Sequence, residues 1–588
     1  MQTAEPTVSP YAYDVIISGG GLAGLSLARQ LTLTIPAINI LVLEKNRFPV
    51  REAAYKVGES TVEIAGYYFR EVLQLSGYLK NDQYVKAGLR YFFREEGKQF
   101  GEFAEVGLSK FSPVDSYQID RGKFENDLAW LNRVNGVRIV DGVSVTDIQL
   151  REGAGHEVVY LDAGGEEVHV TCRWAIDATG RRSLLQKKLG FRKQVDSKCS
   201  AVWFRVKGRF DVSDLVSADD REWHQRVPHR IRYYSTTHLM GPGFWIWIIP
   251  LTNNNTSIGV VIDEKVQSYS DLNTLSKAEA WIRHRYPEVA DHMRSFEVMD
   301  FLGLRHYSYS SRKIMSEHRW ACTGEAAVFP DPFYSPGSNL IGLTNMAITR
   351  LIEDDLSLGV VDRERVQFYD QFIISQNEWL IADIQSSYPY FGNPQVESLS
   401  YLWDIVVGWT IAAPQMFNAI FLDDKKFIRV REVINSFSVL SLRIRKLFVE
   451  WSGRSRGSFS FRFIDYLAVP FIKTLYDRVL RPGKTADELV SDYREAMRYI
   501  EDFAQVLFRM ILEDCMPETL SLLPDPYWIN VWGVSLDPGR WAEDRLFSPR
   551  TEVRGLKEVD DQLRELYRFD TQTGKDQEQP VDRQVQFI

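Results

Sequence analysis

Residues 13–44 read YDVIISGGGLAGLSLARQLTLTIPAINILVLE, and their order decides the fold. Residues 13–18 are a short β-rich run, 19–24 a glycine-rich turn, 25–33 a stretch with helical apolar spacing, and 38–43 a second strand ending at Glu44. Strand, turn, helix and strand within about 30 residues predict a βαβ unit with a parallel sheet and a right-handed crossover. The turn fits GxGxxG at Gly19, Gly21 and Gly24, with the acid Glu44 twenty residues beyond the last glycine. Gly19 permits the tight turn, Gly21 lets a pyrophosphate approach the backbone, and Gly24 lets the helix pack closely on the strand. The helix N-terminus then faces the phosphates, and Glu44 accepts a hydrogen bond from a ribose hydroxyl. The register of all these parts predicts a dinucleotide site.

Beyond this unit, strands are predicted at 137–140, 157–161, 175–177, 201–206, 244–249 and 256–262, and helical periodicity dominates after Gly337 to about residue 570. Of the 588 residues 45% are hydrophobic and 25% charged, which excludes disordered, collagen-like and low-complexity classes. Lys+Arg 70 against Asp+Glu 79 gives a net charge of −9, so a nucleic-acid partner would need a local basic patch, and none dominates. The basic run 443–456 is interleaved with apolar residues and reads as a solvated helix face. No apolar run has the length of a membrane span; the most apolar late stretch, 405–421, is broken by Pro414, Gln415 and Asn418 and reads as a buried helix or pocket wall. The N-terminus has no leader pattern, and Cys172, Cys199, Cys322 and Cys515 are too scattered for a disulfide framework or a metal site, so a reducing, cytoplasmic location is expected. His224, His229 and His238 lie in a polar region without metal-ligand spacing, and no metal is expected.

The choice of dinucleotide rests on three further segments. Residues 117–128, YQIDRGKFENDL, resemble the helix start of the FAD-dependent aromatic hydroxylases, in which the arginine at the Arg121 position meets the flavin nucleotide. Asp177-Ala178-Thr179-Gly180 resembles the ATG strand end of that superfamily, and Gly324-Glu325-Ala326-Ala327 stands where its second flavin motif, GDA, is expected. The resemblance implies FAD, with Gly180, Gly324 and Glu325 at the cofactor. One departure is that the family aspartate holding the ribityl chain is Glu325 here, longer by a methylene.

A more specific resemblance is to the flavin-dependent halogenases. Residues 245–250, WIWIIP, match the family's WxWxIP signature at every fixed position; TSIGVV at 256–261, RHYSYSS at 305–311 and KVGES at 56–60 are similar to flanking family segments, and Lys86 falls where the family places its catalytic lysine. The resemblance covers residues 13–345. It implies an α/β fold: a Rossmann-like FAD-binding domain with an inserted β-sheet substrate domain and a mostly α-helical C-terminal region. The expected divisions are 1–80 and 111–200 for the FAD-binding part, 81–110 for the strand segment with Lys86, 201–310 for the sheet domain, 311–350 for the second flavin motif, 351–570 for the helical region and 571–588 for a polar tail.

The implied chemistry uses reduced FAD (FADH2), O2 and a halide to make hypohalous acid, a small diffusible electrophile. Trp245 and Trp247, at alternate positions of one strand and followed by Pro250, which stops sheet extension, are expected to wall the flavin from the substrate. Lys86 holds and polarises hypohalous acid as an ammonium, or carries the halogen as a haloamine. The loop 331–338, DPFYSPGS, is expected to hold halide with backbone N–H groups. Pro336 has none, so of Ser335, Pro336, Gly337 and Ser338 the donors are expected at Gly337 or Ser338. Tyr334 stands where tryptophan halogenases carry a glutamate base, which points to a phenol, pyrrole or other electron-rich ring. The expected partners are a small-molecule substrate, free or carrier-protein-bound, and a separate flavin reductase, with no nucleic acid and no stable membrane insertion. The alternative is a flavin-dependent monooxygenase or dehydrogenase of the same fold that does not halogenate.

Overall fold

The computed structural model describes residues 11–53, 55–152, 155–524, 528–548 and 555–569; the expected polar tail 571–588 lies outside them. The strand Tyr13–Ser18 is fully buried over its last four residues and sits at the centre of an eight-stranded sheet. It pairs in parallel with Ile40–Glu44 on one side and Glu167–Asp177 on the other, and those strands pair in parallel with Arg138–Asp141 and Trp320–Cys322. Consecutive parallel strands joined through a helix need both faces covered, which is why Val15, Ile16, Ile17, Leu41 and Val42 are apolar without alternation. The carboxyl end of Tyr13–Ser18 lies where the connections diverge to either side, the crevice in which open α/β sheets bind ligands.

A second sheet of nine strands is mostly antiparallel and includes Cys199–Lys207, Asn255–Asp263, Phe244–Leu251, Thr236–Gly241 and Leu89–Phe93. The segment just after Lys86 therefore belongs to the sheet that carries the tryptophans. The expectation that Pro250 stops the strand is corrected: Phe244–Leu251 runs through it, with Pro250 opposite Thr256. Pairing with Thr236–Gly241 ends at Ile248, so on that side Pro250 lies beyond the ladder and its missing N–H breaks no bond.

Long helices fill the C-terminal half: Gly337–Leu358, Arg363–Ser387, Pro394–Val407, Asp424–Ser452 and Ala486–Cys515. Four of them start at side-chain caps. Asp362, Asn393 and Asp423 accept from free N–H groups of the first turn, and Thr485 and Glu488 form a reciprocal capping box. The stretch 405–421 is a pocket wall, made of the end of Pro394–Val407, the π-helical turn Gly408–Ala412 and the helix Ala413–Phe417. The basic run is not simply a solvated face, because Arg445 is buried between acids of two other helices. His238 likewise lies on a buried strand and not in a polar loop. Among the described residues, no helix is long and apolar enough to cross a membrane and no group of acids, cysteines and histidines could hold a metal ion.

Candidate active site

Gly19 has φ +119°, and a side chain there would begin 2.1 Å from the Ala178 carbonyl oxygen, so only glycine lets the two central strand ends meet. A Cβ on Gly24 would lie 2.0 Å from the Gly19 oxygen, whereas one on Gly21 would meet nothing within 4 Å. Two of the glycines are thus fixed by packing inside the fold, and Gly21 leaves space open outside it. Glu44 Oε2 accepts from Gly20 N at 2.7 Å, and Oε1 accepts from the Asn46 backbone and side chain at 2.9 and 2.8 Å. The carboxylate expected at a ribose therefore also shapes the glycine turn.

Arg121 opens the helix Arg121–Val134, capped by Asp120. Its guanidinium donates to Val57 O at 2.6 Å and Glu125 Oε1 at 2.7 Å, while its buried Nε has no partner. Gly324, at φ +62°, brings the second motif against Ala23 of the first. Glu325 places Oε2 3.6 Å from Arg181 Nε. Gly180 also has φ +62°, with open space at its Cβ position. Arg121, Gly324 and Glu325 line a cavity of about 1140 Å³, together with Trp245, Trp247 and His238. The open face at Gly21 and the unpartnered Arg121 Nε fit FAD.

A second cavity, of about 1840 Å³ including its open mouth, lies on the other side of the loop that follows Asp331. Ser335, Gly337 and Ser338 face the first cavity; Tyr334, Pro336 and Lys86 face the second. Trp245 and Trp247 share one strand face, with ring centroids 5.7 Å apart, but line only the first cavity. The partition is the loop, and Trp245 braces it. Its indole N–H donates to Tyr388 OH at 3.2 Å, and Tyr388 OH and Tyr307 OH donate to Asp331 Oδ2 at 3.0 and 2.9 Å. Asp331 Oδ1 accepts from Phe333 N at 3.0 Å. Tyr334 (φ +66°) and Ser335 (φ +56°) are left-handed, each at a cost of order 1–3 kcal/mol, and persist because this bracing over-determines them.

Lys86 ends the strand Tyr84–Lys86 and is 1% exposed. Its Nζ donates to Thr61 O at 2.6 Å and Ser60 Oγ at 2.8 Å. Ser60 lines the first cavity and accepts from Ser335 Oγ at 3.0 Å, so one hydroxyl joins the amine to the loop across the partition. Burial lowers the Lys86 ammonium to about 7, against the opposing pull of Glu63. Burial also raises the Glu63 carboxyl, which faces the second cavity beside Lys86. His238, stacked on Tyr91 at 4.6 Å, is lowered by burial to about 3 and is neutral.

Two acidic groups escaped the sequence reading. Glu63 follows KVGES by three positions and has no motif of its own. Asp404 accepts from Tyr334 OH at 2.7 Å and pairs with Arg445, which also donates to Asp383 at 2.9 Å, Ser387, Tyr390 and Ser400. Only the amphipathic spacing of the helices hinted at these residues.

Residues 12–341 match the model of the FAD binding domain family. The chain belongs to that family. It is an FAD-dependent enzyme, and its curated relatives include flavin-dependent halogenases. It is 29% identical over 435 residues to the flavin-dependent halogenase chlA of Dictyostelium discoideum, covering 68% of this chain and 70% of that one. It is 26% identical over 349 residues to the 1H-pyrrole-2-carbonyl-[peptidyl-carrier protein] chlorinase of Pseudomonas fluorescens, covering 56% and 73%. The crystal structure of halogenase PltM superposes with a TM-score of 0.59 at 16% identity, over 84% of this chain and 96% of that one. That likeness, of fold alone, reaches well past residue 345 into the helical region.

Proposed function

We propose that the chain is an FADH2- and O2-dependent halogenase that places bromide or chloride on an electron-rich aromatic ring through hypohalous acid and Lys86. Bound FAD, reduced by a separate flavin reductase and meeting dioxygen, supplies the oxidising equivalent that turns halide into hypohalous acid. The chain's own residues do the rest. Gly337 and Ser338 open a 22-residue helix, and their N–H groups, which no helical carbonyl reaches, are the donors offered to halide. Pro336 is the N-cap; its carbonyl accepts from Leu340 N at 3.1 Å and it donates nothing.

Near neutral pH a buried lysine at about 7 is in large part a free amine. Its nitrogen takes the halogen from hypohalous acid: an N–halogen bond forms, the O–halogen bond breaks, and hydroxide leaves as water with an amine proton. A ring in the second cavity then takes the halogen, its displaced proton passes to Glu63, and from there a proton returns to the nitrogen. The observation that carries this reading is the position of Lys86 Nζ, bonded to Ser60 at the loop and facing the second cavity. Tyr334, in place of a glutamate, supports a phenol- or pyrrole-type ring over a tryptophan.

Aerobic turnover with reduced FAD and bromide, read by mass spectrometry against a panel of electron-rich aromatics, tests the reading. A bromide-dependent mass shift is expected, and NADH alone should reduce the bound flavin slowly. The second reading, a monooxygenase without halogenation, is favoured by Pro336 and takes over if oxygen is consumed with no halide-dependent product.

A further inference from the structure

The second cavity has a charged end and a long apolar wall. Its ionisable groups at the partition are Lys86, Glu63 and the Tyr334 phenol tied to Asp404, and Ser375, Gln376, Gln415, Asn435 and Ser438 are further polar side chains in its lining. Away from that end the helix Arg363–Ser387 contributes Phe372, Trp379 and Leu380, spaced as one helical stripe, and the helix Asp424–Ser452 contributes Ile434 and Phe437. Ile411 of the π-helical turn completes this wall. All of these except Phe437 are only half-buried, so apolar surface stands open inside the protein. Ser375 and Asn435, also in the lining, are exposed and mark the mouth. The cavity's enclosed volume of about 440 Å³ lies within the roughly 300–1,000 Å³ of a small-molecule site and is larger than a single pyrrole or phenol ring, which would leave part of this wall wet.

Resting on the reading of Lys86 above, we infer that the substrate is a free aromatic alcohol with a long aliphatic tail: the hydroxylated ring sits between Lys86 and Glu63, and the tail lies along the two helices towards the mouth. A carrier-protein arm suits this passage poorly. A pantetheine arm carries amides along its length, each needing a hydrogen-bond partner once buried; Ser375, Gln376, Asn435 and Ser438 could meet some of them, whereas the apolar residues from Phe372 to Phe437 meet none. An alkyl chain needs no partner and covers the exposed apolar surface.

The test uses the FAD-loaded protein and 5-alkylresorcinols from methyl to heptyl, with bromide. Binding is followed by quenching of tryptophan fluorescence and turnover by brominated product. Affinity and kcat/KM are expected to improve about threefold to fourfold per methylene until the chain reaches the mouth. Trp379→Asp and Ile434→Asp should each flatten that dependence, hurting the heptyl compound more than the methyl one. A bromination rate and an affinity independent of chain length would overturn the inference while leaving the halogenase reading intact, as would turnover confined to a carrier-bound ring. Chain-length-dependent binding without bromination of any member would uphold the tail site and remove the halogenase reading. Absence of both would remove both.

Discussion

The two cavities on either side of the loop Phe333–Pro336 are built by different means. The first is shaped by backbone and strand: Gly324, in its lining, sits where a Cβ would strike Ala23 of the glycine turn at 2.7 Å, and a strand of alternating tryptophans lines one wall. The second is shaped by side chains from helices distant in sequence, with Arg445 holding Asp383 and Asp404 behind the loop. The backbone-built cavity repeats across a family because a common cofactor requires one geometry. The side-chain-built cavity is free to follow its substrate. The loop belongs to both, through Ser335 on one side and Tyr334 on the other.

The largest expected effect falls on the glycine turn beside the first cavity. Gly24→Ala puts a methyl 2.0 Å from the Gly19 oxygen and should abolish FAD binding along with much of the native fold. Gly21→Ala has room and should leave far-ultraviolet circular dichroism unchanged while weakening FAD binding, because the methyl occupies the side from which the cofactor approaches. Equal loss of structure in both variants would contradict the division of roles between these glycines.

A smaller effect is expected where the cavities meet. Tyr334→Phe removes a buried hydrogen bond to a carboxylate, worth roughly 1.5–3 kcal/mol, from the residue that holds the left-handed turn. Halogenation should fall by about tenfold with FAD affinity unchanged. At the start of the following helix, Pro336→Ala restores one N–H and should lower the half-saturating bromide concentration by up to about tenfold. Pro336→Ser should gain less, since a hydroxyl at the N-cap satisfies the same helix N–H groups that halide uses. Titration of bromide into the three proteins measures the order.

The titration of Lys86 gives a graded effect that needs no substitution. If the free amine takes the halogen, the rate rises by about tenfold per unit below pH 7 and levels above it, since burial holds the group near 7 with Glu63 as the facing charge. A rate that falls above pH 7 would indicate the ammonium as the active form. Stability carries the same signature. Between about 7 in the native state and about 10.4 for an unperturbed lysine, the unfolded chain binds the extra proton, so wild-type stability rises with pH across that window. Lys86→Met should lack this slope in urea midpoints at pH 7.5 and 9.5.

The first cavity was largely legible in the sequence, because a glycine required by a close approach and a strand of alternating tryptophans are local patterns. The second was not. Arg445 looks like one cation in a basic run, and its burial is decided by Asp383 and Asp404, 62 and 41 positions away. Glu63 becomes informative only when the fold sets it beside Lys86. His238 read as a loop residue until the strand Thr236–Gly241 placed it in the wall of the first cavity. The tryptophan strand Phe244–Leu251 is legible as a strand with both indoles on one face, but the partition depends on how Asp331 gathers Tyr307, Tyr388 and, through Tyr388, Trp245, which no spacing rule contains.

The central claim is that the Lys86 amine passes the halogen from the first cavity to the second. It is tested most directly by measuring oxygen consumption and brominated product in parallel for wild type, Lys86→Ala and Lys86→Arg with reduced FAD. Product should fall by roughly 10²–10⁴-fold in both variants while FAD binding and oxygen consumption persist, the arginine failing because its guanidinium offers no free amine at neutral pH. Brominated product from Lys86→Ala at a rate close to wild type would contradict the claim, and joint loss of FAD binding, oxygen consumption and product would make Lys86 a structural residue.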